Sequence, residues 1–147
     1  MTRILIVEDS TAVQKRFVSI LGVFAECHLA ANGQEAVDKF KEFQAQGMDF
    51  DLVLMDVIMP VMDGLTAVKE IRAFEAALGL EGGQEAKILI VSTVQEPDKI
   101  LQAQFDCGAD GYITKPFARD TVLRTLKDLG IAVKEDVQLI CCRGWNN

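Results

Sequence analysis

Three carboxylates, one ammonium group and a pair of hydroxyls stand at the ends of apolar runs in this sequence. Glu8-Asp9 follows Ile4-Leu5-Ile6-Val7, Asp56 follows Leu52-Val53-Leu54-Met55, Ser92-Thr93 closes the run from Ile88, and Lys115 follows Tyr112-Ile113-Thr114. If the runs carrying Glu8-Asp9 and Asp56 lie side by side, their carboxylates converge in one crevice. Two like charges about 4 Å apart repel by roughly 4 kcal/mol at an effective dielectric near 20. Such acids must hold protons, pair with a cation, or both. Oxygen donors without sulfur or imidazole suit a hard divalent ion, Mg2+ or Mn2+, that keeps several of its waters. Lys115 offers a second cation, a point-charge donor to an incoming phosphoryl group.

Each of these residues alone has a simpler reading. An Asp at the carboxyl end of a strand often caps the next helix, and Ser10 or Asp9 could do so here. Lys115-Pro116 could be an ordinary loop, and Thr93 a turn residue. The constellation at one edge carries the chemistry, since open parallel sheets bind ligands beyond the carboxyl ends of their strands.

The elements that would position these groups follow from hydrophobic period. Arg3 to Val7 is a continuous apolar run, the pattern of a parallel strand covered on both faces. Val13, Phe17, Ile20 and Leu21 then recur at helical spacing. A weaker strand covers about Glu26 to Ala30, Asn32-Gly33 reads as a turn, and Ala36, Val37, Phe40 and Phe43 mark a second helix. Phe50 to Met55 is a strong strand, and Leu65, Val68, Ile71, Phe74 and Leu78 give a third helix. Gly79 to Glu85 reads as a loop before the strand Ile88 to Ser92. Pro97 suits the first turn of a fourth helix ending at Gly108. Tyr112 to Thr114 is a short last strand, and Val122, Leu123, Leu126 and Leu129 give a fifth helix that stops at Gly130. This alternation predicts an α/β fold: a doubly wound, five-stranded parallel sheet with helices on both faces.

Composition narrows the classes. The chain has 147 residues, 50% of them hydrophobic and 25% charged, which is an ordinary globular balance. A net charge of −7 argues against a nucleic-acid surface. The apolar runs are too short to cross a bilayer, and the N-terminus lacks signal-peptide anatomy, so no membrane role and a cytoplasmic location are expected. Cys27, Cys107, Cys141 and Cys142 show no C-x-x-C spacing, and the single His28 cannot complete a zinc site with them. Cys27 and Cys107 read as small buried hydrophobes.

Three segments carry a resemblance to a known family: Ile4 to Ser10, Leu52 to Gly64 and Gly108 to Phe117. Together they resemble the receiver domain of bacterial response regulators, and the likeness runs from about residue 2 to residue 130. The resemblance implies a flavodoxin-like receiver fold with strand order 2-1-3-4-5, a receiver domain over residues 1–130 and a C-terminal extension, 131–147, of unknown role. It implies that Asp56 is the phosphoacceptor and that Glu8, Asp9, Asp56 and the backbone carbonyl of Ile58 hold Mg2+. Asp9 would be a direct ligand and Glu8 would act through water. Lys115 would contact the phosphoryl group, the Lys115–Pro116 peptide would be cis, and Tyr112 would be the aromatic whose rotamer follows the switch. The switch hydroxyl would be Thr93, or Ser92 on a different count along the strand.

On this likeness the chain is expected to be a stand-alone response regulator, phosphorylated by a histidine kinase or phosphotransfer protein. It would act on a downstream protein target in trans, and would catalyse only its own phosphorylation and dephosphorylation. A metal-dependent phosphohydrolase with an Asp nucleophile is the main rival, but the haloacid-dehalogenase pattern wants an Asp where Ile58 stands. A flavodoxin-like cofactor binder would need a phosphate loop where Glu8-Asp9 stands. An unphosphorylated scaffold receiver is a third alternative.

Overall fold

Strands with both faces covered need apolar side chains at every position, and β1 (Thr2–Val7) shows how they are shared. Leu5 and Val7 enter one hydrophobic cluster, Ile4 and Ile6 the other. The computed structural model describes residues 2–57, 62–80, 83–93 and 108–133. Within them, β2 (Ala25–Ala30), β3 (Leu52–Asp56), β4 (Lys87–Thr93) and β5 (Gly111–Lys115) join β1 in a five-stranded sheet of order β2-β1-β3-β4-β5. Every neighbouring pair is parallel.

Helices cover both faces. Phe17, Ile20 and Leu21 of α1 (Thr11–Leu21) and Val122, Leu123 and Leu126 of α4 (Arg119–Asp128) pack on the side of Ile4 and Ile6. Ala36, Val37 and Phe40 of α2 (Gly33–Ala45) and Ala67, Val68 and Ile71 of α3 (Gly64–Ala77) pack on the side of Leu5 and Val7. Each of the Val, Leu, Ile and Phe side chains among these stabilises the fold by about 1.5–3 kcal/mol relative to exposure. The sheet is therefore a rigid plate, and its carboxyl edge is a fixed frame for the loops.

The element α4 is the helix that the sequence pattern counts fifth. The helix expected from Pro97, the tail from Lys134, Ile58, Cys107, Cys141 and Cys142 lie outside the described residues. Side-chain caps start the first three helices: Ser10 accepts from Val13 N at 3.4 Å, Asn32 from Glu35 N at 2.9 Å, and Asp63 from Thr66 N at 2.8 Å. Asn32-Gly33 is therefore a helix start and not the turn its residue types suggest. Glu35 also accepts from Ala31 N at 3.3 Å, one residue ahead of the cap. Phe50 precedes β3 instead of opening it, and its ring stacks on Phe43 and Phe40. Cys27 is half-buried, and burial raises its thiol pKa. His28 packs edge-on against Phe43 and Phe50, with Nε2 2.6 Å from Glu26.

Candidate functional site

The strand register brings the chemistry together. Val7 lies beside Met55, so the residues that follow them, Glu8 and Asp56, leave the sheet at the same level. Asp56 pairs with Val91 and Thr93 with Lys115. Lys115 spans β4 with its four-carbon stem and places Nζ 2.9 Å from Glu8 Oε1 and 3.6 Å from Asp56 Oδ1. Glu8, Asp9 and Asp56 each offer a carboxylate oxygen, and these oxygens lie within 4.8 Å of one another. Because Ser10 takes the α1 cap, Asp9 stays exposed at the mouth of the crevice.

One ammonium does not neutralise three acids. Glu8 is 1% exposed and Asp56 6%. Ser10 N donates to Glu8 Oε2 at 3.1 Å, while among the described residues Glu8 Oε1 meets only the Lys115 ammonium, at 2.9 Å. Burial, then the charge of Glu8, push the Asp56 carboxyl up to about 7, with Lys115 only partly opposing them. Burial also works against the Lys115 ammonium, but Glu8 and Asp56 outweigh it and raise its pKa. Two buried carboxylates and an exposed one around a single ammonium, with one of the acids reluctantly ionised, are what a site for one more cation should show. The donor set is all oxygen, so the residues fit a hard divalent ion.

The chain matches the response regulator receiver domain family over residues 4–127. It belongs to that family. It is 36% identical over 128 residues to the chemotaxis protein CheY of Halobacterium salinarum, covering 86% of this chain and 95% of that one. The complex of the Saccharomyces cerevisiae phosphotransfer protein Ypd1 with the receiver domain of Ssk1 matches with a TM-score of 0.73 at 29% identity, covering 84% and 85% of the chains. The receiver domain of the sensor histidine kinase PA1611 of Pseudomonas aeruginosa, solved with magnesium coordinated in its active-site cleft, matches with a TM-score of 0.69 at 30% identity, covering 86% and 95%.

Other receiver residues named from the sequence are placed as follows. Thr93 ends β4 opposite Lys115, and Ser92 is 1% exposed within the sheet. Tyr112 is 45% exposed on β5, an outward aromatic. The Lys115–Pro116 peptide is cis. The next residue, Phe117, stacks on Phe17 at 4.5 Å, and its carbonyl accepts from Arg16 at 2.9 Å. Arg16 thus ties the loop that carries Lys115 to α1, a contact across 101 positions that no local pattern reveals. Gln14 does the same for Glu8, donating its side-chain amide to the Glu8 carbonyl.

Proposed function

We propose that Asp56 is the phosphoacceptor of a two-component phosphorelay. The supporting observation is the convergence of Glu8, Asp9, Asp56 and Lys115 at the carboxyl edge of the sheet, with the acids undercompensated. An Asp56 carboxylate oxygen attacks the phosphorus of a phosphohistidine on a kinase or phosphotransfer partner. The P–N bond breaks as the P–O bond forms, and the imidazole leaves with the electron pair. Lys115 holds its charge against the transferring oxygens, so the receiver contributes mainly positioning and electrostatics. Glu8, Asp9, Asp56 and the carbonyl of Ile58 would hold Mg2+ or Mn2+, which when bound adds positive charge against those oxygens. The magnesium of the PA1611 receiver and the Ypd1 partner of the Ssk1 receiver support this assignment by family analogy.

In the acyl phosphate, the phosphoryl oxygens accept a hydrogen bond from Thr93 or Ser92. Thr93 sits beside Lys115, and Ser92 follows Val91, the partner of Asp56. Tyr112, outward here, then turns inward, and the surface around β5 and α4 changes for a downstream protein in trans. The receiver unit, residues 1–130, works as a switch and turns over no separate substrate. No described helix is long and apolar enough to cross a membrane, and a cytoplasmic relay is the setting this reading implies.

Intact mass after incubation with acetyl phosphate and Mg2+ tests the assignment. One added phosphoryl group is expected, dependent on Mg2+ and absent in Asp56→Asn. Equal uptake by the Asn variant would show that another residue is the acceptor.

A further inference from the structure

The first amide groups of an α-helix have no partner within it and normally face water. Gly33, the first residue of α2, is an exception: it is buried and donates its N–H to the Met62 carbonyl at 3.1 Å. The approach is too close for any side chain. A methyl group on Gly33 would stand 2.5 Å from Met62 O, 3.0 Å from Met62 Cγ and 3.1 Å from Asp63 O. Ordinary C···O contacts begin near about 3.3 Å, so the Met62 carbonyl would have to retreat by about 0.8 Å.

Met62 lies on the chain between Asp56 and α3. That connection is held from other sides as well. Val57 N donates to Val91 O at 3.3 Å, and Gly64 N donates to Val57 O at 2.9 Å. Gly64 itself could not carry a methyl group, which would stand 2.1 Å from Asp56 O. The segment leading into Gly33 also reaches the other acids, because Ala30 O accepts from Glu8 N at 3.0 Å. The end of β2 and the start of α2 therefore grip both halves of the crevice: the Glu8 backbone through Ala30 and the Asp56 connection through Gly33. Gly33 lies outside the segments that carry the family resemblance.

We propose that Gly33 is a positioning residue for phosphoryl transfer: its amide and its missing side chain set where Met62 and the start of α3 lie, and the Gly64–Val57 bond passes that placement to the backbone just after Asp56. The proposal rests on Asp56 being the acceptor. A displacement near 1 Å away from the chemistry can lower a rate by about 10²-fold, so Gly33→Ala should phosphorylate 10- to 100-fold more slowly. The clash is with a backbone carbonyl, so the variant should also be less stable, and rate and affinity are read on its folded fraction.

Two measurements decide it. In the wild-type protein, hydrogen exchange by NMR should find the Gly33 amide protected, and its resonance should move as Mg2+ is added. Rapid exchange, as for an open helix end, overturns the proposal. In Gly33→Ala, calorimetry on the folded protein should find Mg2+ bound at least fivefold more weakly, with slower labelling by acetyl phosphate per folded molecule and a lower metal-free melting temperature. Wild-type affinity and rate overturn it, as do losses that only match an unfolded fraction. A wild-type protein that binds Mg2+ without accepting phosphate at Asp56 refutes the acceptor reading and this proposal with it, whereas normal wild-type labelling beside an unimpaired Gly33→Ala variant refutes the role of Gly33 alone. A wild-type protein that binds no Mg2+ removes both.

Discussion

The two edges of one sheet use the same residue types to opposite ends. At the amino edge, Arg72 of α3 bonds Glu75 at 2.6 Å, Asp110 at 2.8 Å, and the carbonyls of Gly108 and Ala86 at 2.9 and 2.8 Å. Glu75 is 1% exposed, and its second oxygen accepts from Ala86 N at 2.8 Å. Asp110 also accepts from Ile88 N at 2.8 Å. One guanidinium serves two carboxylates there, and each carboxylate also accepts a backbone N–H, so the cluster locks α3 to the starts of β4 and β5. At the carboxyl edge three acids share, among the described residues, one Lys, a buried oxygen of Glu8 meets only that Lys, and Asp56 ionises reluctantly. A completed network stabilises; an uncompleted one is held in place by the rest of the fold and is free to bind something.

Breaking the completed edge should have the largest effect on stability. Arg72→Ala leaves Glu75 buried without its cation, and loss of one partner from a buried pair costs about 3–5 kcal/mol. Urea unfolding should show this loss, while the fraction that remains folded labels with acetyl phosphate at the wild-type rate. A loss under about 1 kcal/mol, the range of exposed pairs, would mean that the Arg72 cluster is a surface feature.

Completing the open edge should come next. Mg2+ at 100 times its dissociation constant should stabilise the protein by about 2.7 kcal/mol, if the unfolded chain does not bind it. Asp9→Asn should lose most of that gain, because it removes one carboxylate of the crevice. An equal shift in both proteins would show that Mg2+ acts elsewhere.

The contrast between the edges is only half legible in the sequence. The strands are, because burial on both faces writes continuous apolar runs such as Ile4 to Val7. So is the convergence of Glu8, Asp9, Asp56 and Lys115, since strand ends and parallel order place them at one level. Arg72 and Glu75 are not: an i,i+3 pair on a helix looks like any surface pair, and only packing against Ala86 and Asp110 buries it. Asn32-Gly33 misleads for a related reason. Asn favours both turns and helix caps, and the contact that decides the role of Gly33 comes from Met62, far along the chain.

The smallest of these effects isolates the charge on Asp56 itself. Its folded pKa is raised from 3.8 to about 7, so the neutral form is favoured by folding. The stability this gives is fully present below pH 3.8 and is lost as pH rises through about 7. Without metal, the wild-type protein should therefore be less stable at pH 8 than at pH 5. Asp56→Asn is neutral at both and should remove that difference, gaining on the order of 2 kcal/mol over wild type at pH 8 once solvent access to the crevice is allowed for. Saturating Mg2+ should close the gap, since a bound cation favours the ionised carboxylate. Denaturant midpoints at the two pH values, with and without Mg2+, measure all four states. A variant no more stable than wild type at pH 8 would show that Lys115 already balances the acids, and the two edges would then differ in geometry but not in charge.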